Sequence, residues 1–294
     1  IKFRNRDKNR FDDFTIIERN NNMEIKAADV AKLRKMTGAG MMDCKNALAE
    51  ANGDFERAQE IIREKGKLIA SKRADRDAAE GVVLVKNLGT KAYLLCLACE
   101  TDFVAKNESF AATAAEILDI AVKNDAADLD ALMNTKAGNQ TVAELVTEKS
   151  GQTGEKIEIA YYAKIEAPYI ASYVHFNGKL GTLIGFNVAV PEEVGKNVAV
   201  QAATMAPVAI NKEDCDKELL EKEHHIGREQ ARLEGKPENI LDKIAEGKVN
   251  KFLAEKTLLN QALIDDNKIT VDKYIKNAKA DATVIAYKRF SLND

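Results

Sequence analysis

The fold is decided by one segment, GVVLVKNLGTKAYLLCLAC at residues 81–99. It contains two apolar runs, 82–86 and 92–99, on either side of the sequence Leu88-Gly89-Thr90. Short apolar runs that flank a glycine turn are typical of the two strands of a β-hairpin. An alanine-rich helical pattern follows and predicts a helix over residues 103–122. The segment therefore predicts a hairpin followed by a helix.

The same order returns about ninety residues later. Residues 170–176 and 180–190 alternate as strands, and Asn177-Gly178-Lys179 supplies the turn between them. Pro191 then opens a helical pattern that continues through Met205, as proline is well tolerated at a helix start. The repetition indicates two similar hairpin–helix halves.

The region between the two hairpins completes the first half. Its pattern predicts a helix over residues 141–149 and a strand over residues 156–166. We therefore predict an α+β core with a first half at residues 77–168 and a second half at residues 169–211.

Before this core, residues 23–76 carry a compact helical pattern. Val30, Leu33 and Met36 recur at helical spacing until Thr37-Gly38-Ala39-Gly40 interrupts the run. Two further short helices are indicated by two apolar groups: Met41, Cys44, Ala47 and Leu48, then Phe55, Ala58, Ile61 and Ile62. Three short helices with a glycine turn resemble the ubiquitin-associated (UBA) fold.

A second helical region is predicted over residues 212–255. Leu219, Ile226 and Leu233 repeat every seven residues, and Gly235-Lys236-Pro237 then forms a strong turn before a returning helix. The sequence predicts an inserted antiparallel helical hairpin. The pair either projects as a short coiled coil or packs onto the core.

The two ends of the chain differ from the rest. Residues 1–22 are polar and carry a net charge of +2, and we expect them to form a disordered extension before Met23. Residues 256–294 are predicted to return to the core, with a last alternating strand over residues 283–292.

The composition excludes several classes of function. The 294 residues include 44 Lys and Arg against 47 Asp and Glu, a net charge of −3 that disfavours direct nucleic-acid binding. No apolar run approaches the ~20 residues that a membrane helix needs. We therefore expect a soluble, cytoplasmic protein with no membrane contact.

Cys96 and Cys99 form a CxxC pair, which suggests a redox or zinc site. Both lie in the apolar run 92–99, where residues three apart point to opposite faces of a strand. No second CxxC or histidine pair accompanies them. We therefore predict that they are buried core residues, and we predict no metal site and no cofactor.

Two motifs carry a resemblance to a known family. The first is LRKMTGAGMMDCKNAL at residues 33–48, and the second is CETDFVAKN at residues 99–107. Both are similar to signatures of the elongation factor Ts family of bacterial-type translation factors, in the family's order. The Gly-Lys-Pro turn of the helical hairpin and Val249-Asn250-Lys251-Phe252 also match. The resemblance covers nearly everything from Met23 onward.

This resemblance implies a non-enzymatic exchange factor whose partner is the GTPase elongation factor Tu. Such a factor docks on the GDP-bound partner, disturbs its Mg²⁺ and phosphate site, and promotes GDP release so that GTP can bind. Asp102 and Phe103 resemble the wedge that dislocates the Mg²⁺ ion, with Thr101 and Val104 on either side. A homodimer, or a complex with two copies of each protein, stays open. Many relatives have a further helix after the final strand, and we expect that this chain lacks it.

The residues alone also support a simpler interpretation of Asp102 and Phe103. An aspartate at this point can cap the helix that follows, and the phenylalanine can pack beneath the first turn. Chemistry alone favours this packing, whereas the resemblance favours the wedge.

Further residues are candidates for partner binding. The N-terminal helices resemble the module that grips the partner, and Arg34, Met41 and Met42 are the candidate contacts. Consecutive methionines cannot both face a small core, so at least one is expected at the surface, where methionine is adaptable. His175 resembles a family histidine, although Phe176 and Asn177 separate it from the glycine that follows directly in the family. A structural histidine at a strand end explains it equally well.

Two alternative functions come from single features. A UBA-type adaptor for ubiquitin explains only the first module. A thiol oxidoreductase that uses Cys96 and Cys99 requires at least one accessible, acidified thiol.

Overall fold

The structure, a computed structural model, describes residues 25–294, so the extension predicted over residues 1–22 lies outside the described residues. The chain divides into two units, Ile1–Ile62 and Arg63–Asp294, each with its own hydrophobic core. The described part contains eleven α-helices and three antiparallel sheets. The prediction of an α+β protein is therefore confirmed.

The first unit consists of helices: α1 (Ala27–Thr37), α2 (Met41–Glu50) and the first part of α3 (Phe55–Lys72). Leu33, Cys44 and Leu48 are fully buried in its core. Helix α1 ends at Gly38, whose φ of 69° is a left-handed conformation that glycine adopts without strain. Its N–H donates to the carbonyl oxygen of Arg34 at 2.8 Å. The three predicted helices are confirmed, and the likeness to the UBA fold stays a prediction.

Two details of this unit differ from expectation. Helix α3 has 18 residues and is not short. Met36, which shares the helical spacing of Val30 and Leu33, is exposed. Leu33 and Thr37 are buried four residues apart and occupy the inward stripe of α1, so Met36 lies beside that stripe.

The second unit contains the remaining elements. Its strands are β1 (Glu80–Asn87), β2 (Lys91–Cys99), β3 (Lys136–Ala137), β4 (Gln140–Thr141), β5 (Ile157–Glu166), β6 (Tyr169–Val174), β7 (Leu180–Phe186) and β8 (Val284–Ser291). Its helices after α3 are α4 (Asp102–Ala105), α5 (Glu108–Lys123), α6 (Leu129–Asn134), α7 (Val142–Thr153), α8 (Glu192–Met205), α9 (Lys217–Leu233), α10 (Leu241–Lys256) and α11 (Val271–Ala278). A 3₁₀ turn, Glu238–Ile240, precedes α10. The sheets have the orders β1-β2-β5, β6-β7-β8 and β3-β4.

Strand β2 is buried on both of its faces. Leu95 and Leu97 belong to a core shared with α5, whereas Leu94 and Cys96 belong to a core shared with Leu183 of β7. Successive side chains of a strand point to opposite faces, so the alternation places α5 on one side of the first sheet and the second sheet on the other. The opposite face of the second sheet packs against α8. The result is a helix–sheet–sheet–helix arrangement.

Close approach of the two sheets depends on a glycine. A Cβ atom on Gly181 of β7 would lie 2.7 Å from Cγ1 of Val83 on β1. The backbone of the turn after β6 also bonds the first sheet, because the N–H of Val83 donates to the carbonyl oxygen of Gly178 at 2.7 Å.

The observed strands and their pairing confirm both predicted hairpins and the last strand. The predicted domain limits stay predictions.

The helix predicted over residues 103–122 is wrong as a single element. Helix α4 ends at Ala105 after one turn, and Asn107 begins α5 by accepting a hydrogen bond from the N–H of Ser109. An asparagine that caps a helix start in this way interrupts an otherwise continuous pattern.

Helices α9 and α10 pair as the predicted hairpin, but the apolar residues of the seven-residue repeat do not all lie in the contact between them. Ile226 and Leu233 are exposed, and Gly227 and Ala231 are buried instead. A Cβ atom on Gly227 would lie 3.3 Å from the Cα of Ala245 on α10, so the helices approach through small residues. No helix within residues 25–294 is long and apolar enough to cross a membrane.

The second unit also contains a tight helix crossing that can be tested. A Cβ atom on Gly151 of α7 would lie 2.4 Å from the Cα of Gly66 on α3. We expect Gly151→Ala to lower the free energy of unfolding by about 1–3 kcal/mol, because backbone cannot move aside as a side chain can.

Gly247 of α10 is the matched control, since a Cβ atom there meets nothing within 4 Å. Gly247→Ala is expected to be neutral or to stabilise by up to about 1 kcal/mol. Chemical denaturation of both variants measures the difference. Equal stability of Gly151→Ala and wild type would contradict the crossing.

Candidate functional site

The candidate site is the corner where β2 leaves the first sheet and α4 begins. Thr101 caps α4, because its Oγ1 accepts a hydrogen bond from the N–H of Val104 at 3.4 Å. Val104 packs on the core beneath the corner, while Phe103 is 83% exposed. A one-turn helix between two capping residues, Thr101 and Asn107, therefore presents an aromatic ring to solvent.

This geometry corrects the simpler interpretation of the corner. The N-cap of α4 is Thr101 and not Asp102, which lies in the first helical turn. The Asp102 carboxylate accepts a hydrogen bond from Nζ of Lys106 at 2.6 Å, and this bond lowers the pKa of Asp102. Phe103 does not pack beneath the helix. The corner thus holds an exposed ring beside a carboxylate.

Two further carboxylates hold the corner from the inside. Glu155 accepts hydrogen bonds from the N–H of Glu100 at 3.2 Å, from the N–H of Thr101 at 3.1 Å and from Oγ1 of Thr101 at 2.6 Å. Glu100 accepts from the N–H of Lys156 at 2.6 Å and from Nη1 of Arg73 at 2.8 Å. The sequence analysis missed both glutamates as site residues. Glu100 stands inside the quoted motif, but Glu155 is separated from the corner by more than fifty residues.

A second exposed aromatic lies at the tip of the β6–β7 hairpin. Phe176 is 93% exposed, and its ring centroid lies 4.5 Å from that of His175. His175 is partly buried, and its Nδ1 lies 2.8 Å from the Tyr173 hydroxyl. Sequence reasoning missed Phe176, although a large apolar residue directly before an Asn-Gly turn has no strand face to cover it.

The hairpin tip and the corner lie at the same end of the first sheet. Glu80 at the start of β1 pairs with Cys99 at the end of β2, two residues before Thr101. The carboxylate of Glu80 also accepts a salt bridge from Nζ of Lys179 at 2.7 Å, in the turn that carries His175. This salt bridge therefore links the turn after His175 to the strand pair that ends at the corner.

Arg34, Met41 and Met42 belong to the first unit. All three are exposed, and the two methionines begin α2 directly after the Gly40 turn. The expectation that at least one of them lies at the surface is confirmed. Met36 of α1 is exposed as well.

The cysteines contradict the oxidoreductase alternative. Cys96 and Cys99 are buried on opposite sides of β2, and burial raises the pKa of each thiol to about 12. Over the part of the chain that the structure describes, His, Cys, Asp and Glu form no group of three that could hold a metal ion.

The corner thus presents an exposed aromatic ring on a backbone that carboxylates hold in place, so the ring is available for contact with another molecule. Comparison with known proteins shows the class of protein to which the chain belongs. Residues 100–294 match the family model described as elongation factor TS. A relative from Porphyromonas gingivalis, named elongation factor Ts, is 44% identical over 272 residues, which cover 92% of this chain and 99% of the relative.

Further relatives carry the same name. The one from Christiangramia forsetii is 45% identical over 273 residues, and the one from Flavobacterium psychrophilum is 40% identical over 272 residues. These matches cover 92% and 91% of this chain and 99% and 98% of the relatives. The chain is therefore a translation elongation factor. It belongs to the elongation factor Ts family, as its two motifs indicate.

Thiol labelling tests the assignment of the cysteines to the core. With a pKa of about 12, roughly one thiol in ten thousand is ionised at pH 8, and the thiolate is the reactive form. We expect Cys96 and Cys99 to label slowly in the native protein and rapidly in denaturant, as measured by mass spectrometry of labelled peptides. Rapid native labelling of either residue would show that β2 is not closed on both faces.

Proposed function

We propose that this protein is a guanine-nucleotide exchange factor for elongation factor Tu. It binds the GDP-bound GTPase, disturbs the partner's Mg²⁺ and phosphate site, and promotes GDP release so that GTP can bind. The observation that carries this proposal is the 83% exposure of Phe103 on a corner held by hydrogen bonds. The protein performs no covalent chemistry in this proposal and acts in the cytoplasm as a non-enzyme.

Exposure of Phe103 supplies free energy for distorting the docked partner. Burying a phenylalanine side chain contributes about 1.5–3 kcal/mol, and here the ring loses this stabilisation until a partner covers it. Thr101 and Val104 keep the ring in place, one by capping α4 and the other by packing on the core. The ionised Asp102 next to the ring competes for groups that organise the partner's metal ion. Phe103 is thus the wedge, and Asp102 acts beside it.

The exchange cycle follows from linkage. A factor that weakens nucleotide binding to its partner must itself be weakened by nucleotide to the same degree. GTP that enters the emptied site therefore releases the factor. A wedge at the metal site meets this requirement, because metal and ring cannot both hold their preferred positions.

Docking on the partner requires further contacts. We assign this role to Arg34, Met41 and Met42 of the first unit and to His175 at the hairpin tip. Exposed methionines adapt to a protein surface, and the exposed Arg34 adds a charged hydrogen-bond donor. The partner is a protein, and no direct nucleic-acid or membrane contact is part of the proposal.

The central test follows labelled GDP preloaded on elongation factor Tu. Wild-type protein should accelerate GDP release strongly, whereas Phe103→Ala should lower the maximal rate by about tenfold or more, because the lost burial applies to the strained complex. Leu88→Ala is the matched control, since Leu88 is exposed in the β1–β2 turn at the other end of the hairpin. Release at the spontaneous rate with wild type would refute the exchange function.

A second test separates docking from wedging. Met42→Ala and Arg34→Ala should raise the concentration that gives half-maximal exchange and leave the maximal rate unchanged, because these residues contribute uniform binding. Titration of each variant against GDP-loaded partner measures both quantities. A fall in maximal rate with an unchanged half-maximal concentration would contradict a docking role.

A further inference from the structure

We infer that Glu155 is a positioning residue for Phe103, an inference that rests on the proposed exchange function. The hydrogen bonds of its carboxylate go to Glu100 and Thr101 and not to Phe103. It acts instead on the backbone of Glu100 and Thr101, immediately before α4.

The need for such a residue arises where the sheet ends. The β2–β5 ladder stops at the pair Cys99 and Ile157, and Glu100 and Lys156 are the next residues on the two strands. Because the chain turns into α4 here, their backbone N–H groups lose strand partners. Partly buried N–H groups without an acceptor destabilise a fold, so a substitute acceptor is required.

Two carboxylates supply the acceptors reciprocally. Glu155 accepts from the N–H groups of Glu100 and Thr101, and Glu100 accepts from the N–H of Lys156. The second Glu155 oxygen accepts the Thr101 hydroxyl at 2.6 Å. That hydroxyl oxygen in turn accepts the N–H of Val104, the residue after Phe103. The Glu155 carboxylate thus orients the hydroxyl of Thr101 that caps α4, and this cap in turn holds the helical turn that carries Phe103.

Glu155 is itself held by its own local structure. Helix α7 ends at Gly154, whose φ of 73° turns the chain back toward β5. The N–H of Glu155 donates to Oγ1 of Thr153 at 3.3 Å. On the other side of the corner, Arg73 beyond the end of α3 donates to Glu100. The corner is therefore fixed by the ends of two helices, α3 and α7, that cross at Gly66 and Gly151.

The test compares Glu155→Ala and Glu155→Gln in the intact protein. Glu155→Ala removes the acceptors, so amide hydrogen exchange at Glu100 and Thr101 should speed up by at least tenfold. The maximal rate of GDP release should fall about ten- to hundredfold, since a small displacement of a positioned group has an effect of this order. The half-maximal concentration should change less than twofold, because the docking residues are untouched. Glu155→Gln keeps an acceptor oxygen and should recover much of the rate.

Glu144→Ala is the matched control. Glu144 accepts the N–H of Thr141 at 2.9 Å in the capping box of α7, at the opposite end of the helix from Glu155. Glu144→Ala removes the same kind of hydrogen bond, from a carboxylate to a backbone N–H. It should leave the maximal rate and the half-maximal concentration at wild-type values. Thermal unfolding of each variant confirms that it is folded. If Glu155→Ala is not folded, Thr101→Val replaces it, because this change removes only the hydroxyl that links Glu155 to α4 and should also lower the maximal rate.

The outcomes distinguish this inference from the function on which it rests. An inactive wild type would refute the exchange function and this inference with it. An active wild type whose folded Glu155→Ala variant keeps the full maximal rate would overturn the positioning role alone. Equal losses in Glu155→Ala and Glu144→Ala would also overturn it, because the effect would then be general destabilisation.

Discussion

The structure of the second unit depends on the burial of strand β2 on both faces. From Ala92 to Cys99 no side chain of this strand reaches solvent. A strand of this kind needs a layer on each side, and α5 and the second sheet supply them. Because both neighbours are required at once, the strand cannot shift its register by one residue without exchanging two differently shaped cores. This constraint fixes where β2 ends, and hence where the corner stands.

Where β2 ends, backbone N–H groups lose their acceptors in the sheet, and the corner supplies new ones. The backbone N–H groups beyond Cys99 leave the ladder in a partly buried place, where they need other acceptors. Carboxylates are strong acceptors for such groups, and charge-assisted bonds are shorter than neutral ones. Glu155 and Glu100 meet this need with distances of 2.6–3.2 Å. The order of the exposed corner therefore derives from the core behind it.

The sequence predicted what depends on local patterns. Alternation and glycine turns located both hairpins and β8, and strand periodicity placed Cys96 and Cys99 on opposite faces. The contact between α9 and α10 was not predicted, because Gly227 and Ala231 form it by their small size and small residues produce no apolar repeat in the sequence. The hydrogen bonds of Glu155 could not be predicted for another reason. Its partners lie more than fifty residues away in the sequence, and a glutamate that accepts backbone hydrogen bonds looks the same in a sequence as one that is solvated.

Magnitudes explain why the proposed wedge requires a rigid base. Covering the ring of Phe103 contributes about 1.5–3 kcal/mol. Fixing the backbone of one flexible residue opposes binding by roughly 1–2 kcal/mol. If the three residues Thr101, Asp102 and Phe103 moved freely before docking, the entropy lost in ordering them would cancel the free energy gained by burying the ring. A corner that is already ordered in the free protein leaves that contribution available to distort the partner. In the proposed mechanism, exposure of Phe103 and the hydrogen bonds beneath it therefore act together, because the ring can distort the partner only from an ordered backbone.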